Sequence, residues 1–281
     1  MRFREHHLLL LVLAAVLLLV CWPARLVRGE TAAPAGRDRF LTSLPDGFQM
    51  PRDSVGQRVL REYGAMFVAR GAHLPKTVVF PDEDAVTAFQ AAVPMTKETV
   101  GGVAIELQTP AMTALLAAAA DAKEQKLAIT PRNAGGARRN YAQTAANWSS
   151  RVDPGLAHWQ AKGKITKAQA TRIRALSPAD QVPEILKLEA RGLYFSLKFD
   201  KTVIHSVAPP GASQHIALLA LDILEHDNAG VRKILTRHGW FQTIPSDHPH
   251  FTYLGVTANL LPSLGLKQVV SGGRSYWVPE F

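Results

Sequence analysis

The chain has 281 residues, 47% of them hydrophobic and 20% charged, with 32 Lys and Arg against 23 Asp and Glu, a formal net charge of +9. So large an apolar share excludes a disordered, collagen-like or mucin-like chain. The one long apolar run, Leu8 to Trp22, has 15 residues, which excludes a helical membrane bundle because a single span needs about 20.

That run follows the charged start Met1-Arg2-Phe3-Arg4-Glu5-His6-His7, the layout of an export signal with a basic n-region and an apolar h-region. Arg25 and Arg28 interrupt the small residues where cleavage would fall, so residues 1–22 read as a signal peptide or as an uncleaved membrane anchor. Export to the periplasm or cell envelope is expected either way. Cys21 is the only cysteine; the exported part therefore has no disulfide, no Cys-ligated zinc and no Cys nucleophile. Its basic excess either serves solubility or meets an anionic membrane or wall surface, which is nearer to an exported protein than nucleic acid is.

Residues 23–50, rich in Pro, Gly, Ala and Arg, read as a flexible linker. A small α/β lead-in is expected over residues 51–99. Asp53 or Ser54 caps a helix running to about Gly71, Thr77 to Phe80 form a strand, and Pro81-Asp82-Glu83-Asp84 opens a second helix. Thr109-Pro110 starts an Ala-rich helix to about Lys123, which feeds a strand at Leu127–Thr130. Residues 148–188 are polar and helical in pattern, with Ser177-Pro178 as an internal start, and read as an insertion or lid. Strands are expected at Leu193–Phe199, Leu219–Leu224, Trp240–Thr243 and Phe251–Leu254, with a helix from Ala229 stopped by Gly239. This irregular interleaving predicts an α+β fold with a mainly antiparallel sheet flanked by helices.

Six of the ten histidines lie between His205 and His250. Without a usable thiol, a metal must be held by His, Asp or Glu, and two His with one Asp make a three-ligand zinc set that leaves a fourth position for water. The candidates are Ser213-Gln214-His215 through Asp222, and Ser246-Asp247-His248-Pro249-His250-Phe251. Positions seven apart point to opposite faces of a straight strand, so His215 and Asp222 can share an ion only across a bend. His238 beside Gly239 reads as a cation at a helix C-terminus, His226 and Asp227 as a solvated turn, and His205 as an exposed strand residue.

These blocks resemble the VanY-like zinc D-alanyl-D-alanine carboxypeptidases and related peptidoglycan endopeptidases. Ser213, His215, Ala220 and Asp222 fall on that family's Ser-x-His-x-x-Gly-x-Ala-x-Asp motif, and Asp247, His250 and Phe251 on its Glu-x-x-His motif. Arg138 and Gln143 match its upstream Arg and Gln, five residues apart. The resemblance covers roughly residues 100 to 270. It implies a fold of the hedgehog and D,D-peptidase type over residues 100–281, with zinc on His215, Asp222 and His250, Asp247 as general base, and Arg138, Gln143 and Ser213 at the substrate. The implied reaction is hydrolysis of peptidoglycan stem peptides, by a carboxypeptidase if Arg138 grips a terminal carboxylate and by an endopeptidase otherwise. Arg139 then reads as a surface charge. The chain departs from the motifs at Leu218, where the family has Gly, at Asp247, where it has Glu, and at Pro249 and Ala137, where it has aromatic residues. A non-catalytic, zinc-stabilised wall-binding module is the alternative these departures leave open.

Overall fold

Phe40 anchors the first of the described helices. It sits fully buried on α1 (Gly36–Ser43), 5.5 Å ring to ring from Phe281. Gly265, at φ +73°, packs so closely on it that a Cβ there would fall 2.1 Å from the Phe40 nitrogen, a position only glycine tolerates. Part of the expected linker is thus a docked helix, because one aromatic side chain repays ordering it. The structure, a computed structural model, describes residues 35–245 and 247–281. The expected signal or anchor at residues 1–22 lies outside them. Among the described residues no helix is long and apolar enough to cross a membrane.

α2 (Ser54–Tyr63) is capped by Asp53, which accepts from Gly56 N at 2.8 Å. It gives way to a buried 3-10 turn, Gly64–Val68, rather than running on to Gly71. Residues 77–80 form bends where a strand was expected. α3 (Glu83–Ala92) starts at its predicted cap, Asp82.

The hairpin of β1 (Met95–Val100) and β2 (Val103–Gln108) was not anticipated from sequence. Its first strand is almost wholly exposed and carries no apolar alternation; the turn at Gly101-Gly102, both at positive φ, and the alternation of Val103, Ile105 and Leu107 in the second strand are the signals it offers. α4 (Thr109–Glu124) has Pro110 in its first turn and buries Ala111, Met112, Leu115, Ala118 and Ala122. Residues 127–130 join no strand; only Pro131 bridges to Ile223.

The helical block comprises α5 (Tyr141–Ala161), α6 (Lys167–Arg174) and α7 (Pro178–Glu189), capped by Asn140, Thr166 and Ser177. It is not a lid. Trp148, Val152 and Leu156 of α5 are fully buried in the main core together with Ile173 and Ile185, and Trp148 donates its indole N–H to Gln181 Oε1 at 3.2 Å. The segment 193–199 is an irregular loop rather than a strand. The buried Glu189 carboxylate accepts from the backbone N–H groups of Phe195 and Val203, at 3.1 and 2.6 Å, donors that a ladder would otherwise use.

The strands expected near residues 219–224, 240–243 and 251–254 are present, and the C-terminal hairpin is an addition to them. β3 (Ala220–Asp222), α8 (Ala229–Arg237), β4 (Trp240–Phe241) and β5 (His250–Tyr253) follow in order, and the strands form an antiparallel sheet in the order β3-β5-β4. The chain ends in a hairpin of β6 (Leu266–Ser271) and β7 (Arg274–Pro279), turned at Gly272-Gly273. The fold is α+β, and among the described residues there are three small antiparallel sheets in place of one main sheet. Residues on both sides of the expected boundary at 99–100 belong to one compact unit.

Candidate metal centre

Strand register places the first two ligand candidates. β3 and β5 run antiparallel with Asp222 directly opposite His250, so their Cβ atoms leave the same face about 4.5–5.5 Å apart. His215 reaches that face through the bend that seven-residue spacing requires. It lies in a 3-10 turn, Gln214–Ala217, that ends on Leu218 in the left-handed conformation, φ 56° and ψ 31°. This is the position where the resembled motif has glycine. A left-handed L-residue costs roughly 1–2 kcal/mol, but Leu218 is completely buried, which contributes about 1.5–3 kcal/mol. The turn is also held from outside: Gln108 donates through its backbone to Leu218 O at 3.1 Å and through its side chain to Ala217 O at 2.7 Å, and Gln90 Nε2 donates to Ile216 O at 3.0 Å.

The three side chains converge on one carboxylate oxygen. Asp222 Oδ1 lies 3.4 Å from His215 Nε2 and 3.3 Å from His250 Nδ1, and one potential ligand atom from each residue lies within 4.8 Å of the others. Its second oxygen, Oδ2, accepts from Arg139 Nη2 at 2.8 Å. Burial opposes ionisation of Asp222, but the adjacent His215 and His250 outweigh it and hold the carboxyl well below its usual range. Burial drives the pKa of His215 down to about 4, with Arg139 adding to the effect and Asp222 only partly offsetting it. His215 is therefore neutral near pH 7. Both its ring nitrogens are buried with no hydrogen-bond partner among the described residues. A buried imidazole with an unused lone pair beside a carboxylate suits a cation, so the His215, Asp222 and His250 group can hold a metal ion.

Behind this group lies a polar chain that spacing did not reveal. Gln214 is buried, donates Nε2 to Tyr63 O at 2.8 Å, and accepts at Oε1 from the Thr252 hydroxyl at 2.5 Å. The same Oε1 lies 2.9 Å from His250 Nε2. Thr252 in turn lies 2.6 Å, hydroxyl to hydroxyl, from Thr243. The only sequence cue was a polar residue flanking a ligand inside an otherwise apolar run.

The metal group opens on a cleft of about 220 Å³. Ser213 and Asp247 line it as expected, and Thr144, Asn147 and Arg151 face it from α5, spaced three and four residues apart on one side of the helix. Burial raises the pKa of Asp247; His250, Arg139 and Arg132 pull it back in part. Asp247 makes no ion pair among the described residues.

Arg138 and Gln143 are not brought to this cleft, a correction to their expected placement. Arg138 turns the other way, donating to Glu106 and, from Nε, to Gln90 Oε1 at 2.9 Å. Gln143 closes a capping box with Asn140 at the start of α5. Arg139, expected as a surface charge, is the neighbour that enters. In the 3-10 turn and coil before α5, adjacent side chains diverge, and the carboxylates of Glu106 and Asp222 on opposite sides take one arginine each. Elsewhere, His238 pairs with Asp121 at 2.8 Å beside the C-terminus of α8, and His205 pairs with Glu62 at 2.8 Å from a 3-10 turn rather than a strand. No protein-family model, curated protein or solved structure matches this chain.

Proposed function

We propose that the chain is a zinc-dependent peptidase of peptidoglycan stem peptides, acting as a D-alanyl-D-alanine carboxypeptidase outside the cytoplasmic membrane. The observation that carries the reading is the buried imidazole of His215, without a hydrogen bond among the described residues and 3.4 Å from Asp222 Oδ1, beside His250 in a cleft that also contains Asp247. Two nitrogens and one oxygen suit zinc and leave a coordination position free, and Cys plays no part. Bound there by His215, Asp222 and His250, zinc would supply Lewis-acid polarisation of a carbonyl and a water made nucleophilic near neutral pH.

The protein's own groups do the rest. Asp247, its pKa raised by burial, takes the proton of the attacking water on a carboxylate oxygen and passes it to the leaving amine. Arg139 is already neutralised by Asp222. Arg151 is not: its Nε and Nη1 meet only the hydroxyls of Ser206 and Ser150, at 3.1 and 2.9 Å. Arg132 lines the cleft with no hydrogen bond or ion pair to its side chain among the described residues. We assign the grip on a substrate carboxylate to Arg151 and Arg132 instead of Arg138.

The test is digestion of purified muropeptides by the zinc-loaded chain, with released D-alanine measured. The reading predicts release that a chelator abolishes and zinc restores. Zinc uptake without cleavage of any stem or cross-linked dimer would leave the non-catalytic wall-binding module in its place.

A further inference from the structure

We propose that Gln214 is a positioning residue that selects the tautomer of His250, keeping the proton on Nε2 so that Nδ1 presents a lone pair beside Asp222. The inference rests on reading His215, Asp222 and His250 as the metal site, and it concerns a residue with no role in the motif that marks that site.

The argument is one of donor and acceptor counting. Tyr63 O is a carbonyl and can only accept, so the amide group 2.8 Å from it must be the Gln214 NH₂. That fixes the other end: the atom facing His250 Nε2 at 2.9 Å and Thr252 Oγ1 at 2.5 Å is the Gln214 carbonyl oxygen. The flipped amide would set two carbonyl oxygens against each other at 2.8 Å. Thr252 has one hydroxyl proton. It spends it on Gln214 Oε1, so the Thr243 hydroxyl donates to Thr252 at 2.6 Å and the chain runs in one direction. A carbonyl oxygen cannot donate, so His250 Nε2 carries the hydrogen, and the neutral ring has its lone pair on Nδ1. That nitrogen lies 3.3 Å from Asp222 Oδ1, where two acceptors confront one another until a cation or a proton joins them. Gln214, Thr243, Thr252 and His250 are each at most 3% exposed, so solvent does not rearrange the chain.

Ring-nitrogen partners of metal-binding histidines are usually carboxylates, backbone carbonyls or water. Here an amide does this work, and its own orientation is set by a main-chain carbonyl from α2 and by Thr252 of β5, which is backed in turn by Thr243. The neighbour of one ligand in sequence thereby orients another ligand 36 residues away.

The experiment reads the ring without metal. In full-length, metal-free protein at pH 8, two-bond ¹⁵N–¹H correlation of the histidine rings reports which nitrogen of His250 is protonated, and His250→Gln supplies the assignment. The wild type is expected in the Nε2–H form. Gln214→Met, which keeps length but loses both polar atoms, is expected to shift His250 toward Nδ1–H, bonded to Asp222, and to weaken zinc binding about 10–100-fold, the usual effect of losing such a partner. Gln214→Glu keeps an oxygen at the same place, and its protonated second oxygen can still donate to Tyr63 O. It is expected to restore the Nε2–H form and zinc binding to within about threefold of wild type. A wild-type ring in the Nδ1–H form overturns the inference, as does a folded Gln214→Met protein with unchanged tautomer and zinc affinity. If Gln214→Met does not fold, the wild-type spectrum decides alone. If the wild type takes no zinc, the metal reading falls while the tautomer arm still decides the role of Gln214.

Discussion

The two walls of the cleft are held in different ways. On the metal side, Asp222 and His250 face each other across a hydrogen-bonded ladder, and His215 hangs from a turn tied by Gln90 and Gln108. On the other side, Thr144, Asn147 and Arg151 project from one face of α5, while Arg132 is bonded through its backbone N–H to Asp222 O at 2.9 Å and stays with the metal side. Backbone pairing fixes the first wall, whereas side chains projecting from one helix face make up the second. Chemistry that needs fixed distances belongs on the ladder, and substrate choice can vary on the helix without disturbing it.

The comparison breaks first at Asp247, which belongs to neither wall's framework. Asp247→Asn keeps shape but cannot take a proton, so turnover should fall about 10²–10⁴-fold while zinc content stays at the wild-type level; steady-state kinetics beside metal analysis would check this. Loss of metal in that variant would make Asp247 part of the ladder-side framework instead.

The next effect is on the stability of the metal-free protein. His215 stays neutral in the folded state down to about pH 4, whereas the unfolded chain binds the proton near 6.5. Between those values the unfolded state holds more protons, so stability falls as pH drops through the window, by about 3 kcal/mol. Denaturant titrations of metal-free protein between pH 7 and 4 should reveal this slope, and His215→Gln should flatten it.

On the helix side the expected changes are smaller and selective. Arg151→Lys removes the planar fork and should weaken cleavage of a stem ending in a free carboxylate by about tenfold, with little change at an internal cross-link. Arg138→Lys should alter neither substrate, because that side chain is occupied by Glu106 and Gln90. Equal losses on both substrates in Arg151→Lys would assign it to the framework. The smallest effect is at the bend. Leu218→Gly relieves a left-handed leucine but gives up its burial, a net loss of about 1 kcal/mol in denaturant titrations.

What the sequence made legible follows the same division. The strands beside the candidate ligands Asp222 and His250 could be placed because the stretches Leu219–Leu224 and Phe251–Leu254 have strand character, and the His and Asp residues stand out in or next to them. The need for a bend between His215 and Asp222 was also derivable, and Leu218 supplies it. Arg138 and Arg139 were not separable, since spacing gives no direction to adjacent residues in a turn and the deciding carboxylates, Glu106 and Asp222, come from other elements. In the β1–β2 hairpin the first strand is almost wholly exposed, and in the 193–199 loop the backbone donor of Phe195 is claimed by Glu189. Both outcomes depend on tertiary partners that local pattern does not contain. Gln214 was in view as a letter of the motif, and only the positions of Tyr63, Thr252 and His250 around it give it a role.

The central claim is that His215, Asp222 and His250 form one metal site, and the most direct measurement is zinc content. Full-length protein loaded with zinc, dialysed and analysed by plasma mass spectrometry should carry close to one zinc per chain, and His215→Ala, Asp222→Ala and His250→Ala should each carry close to none, because two remaining ligands do not retain the ion. His238→Ala, whose side chain pairs with Asp121 away from the cleft, should keep it. A full zinc complement in His215→Ala, or none in the loaded wild type, would contradict the account.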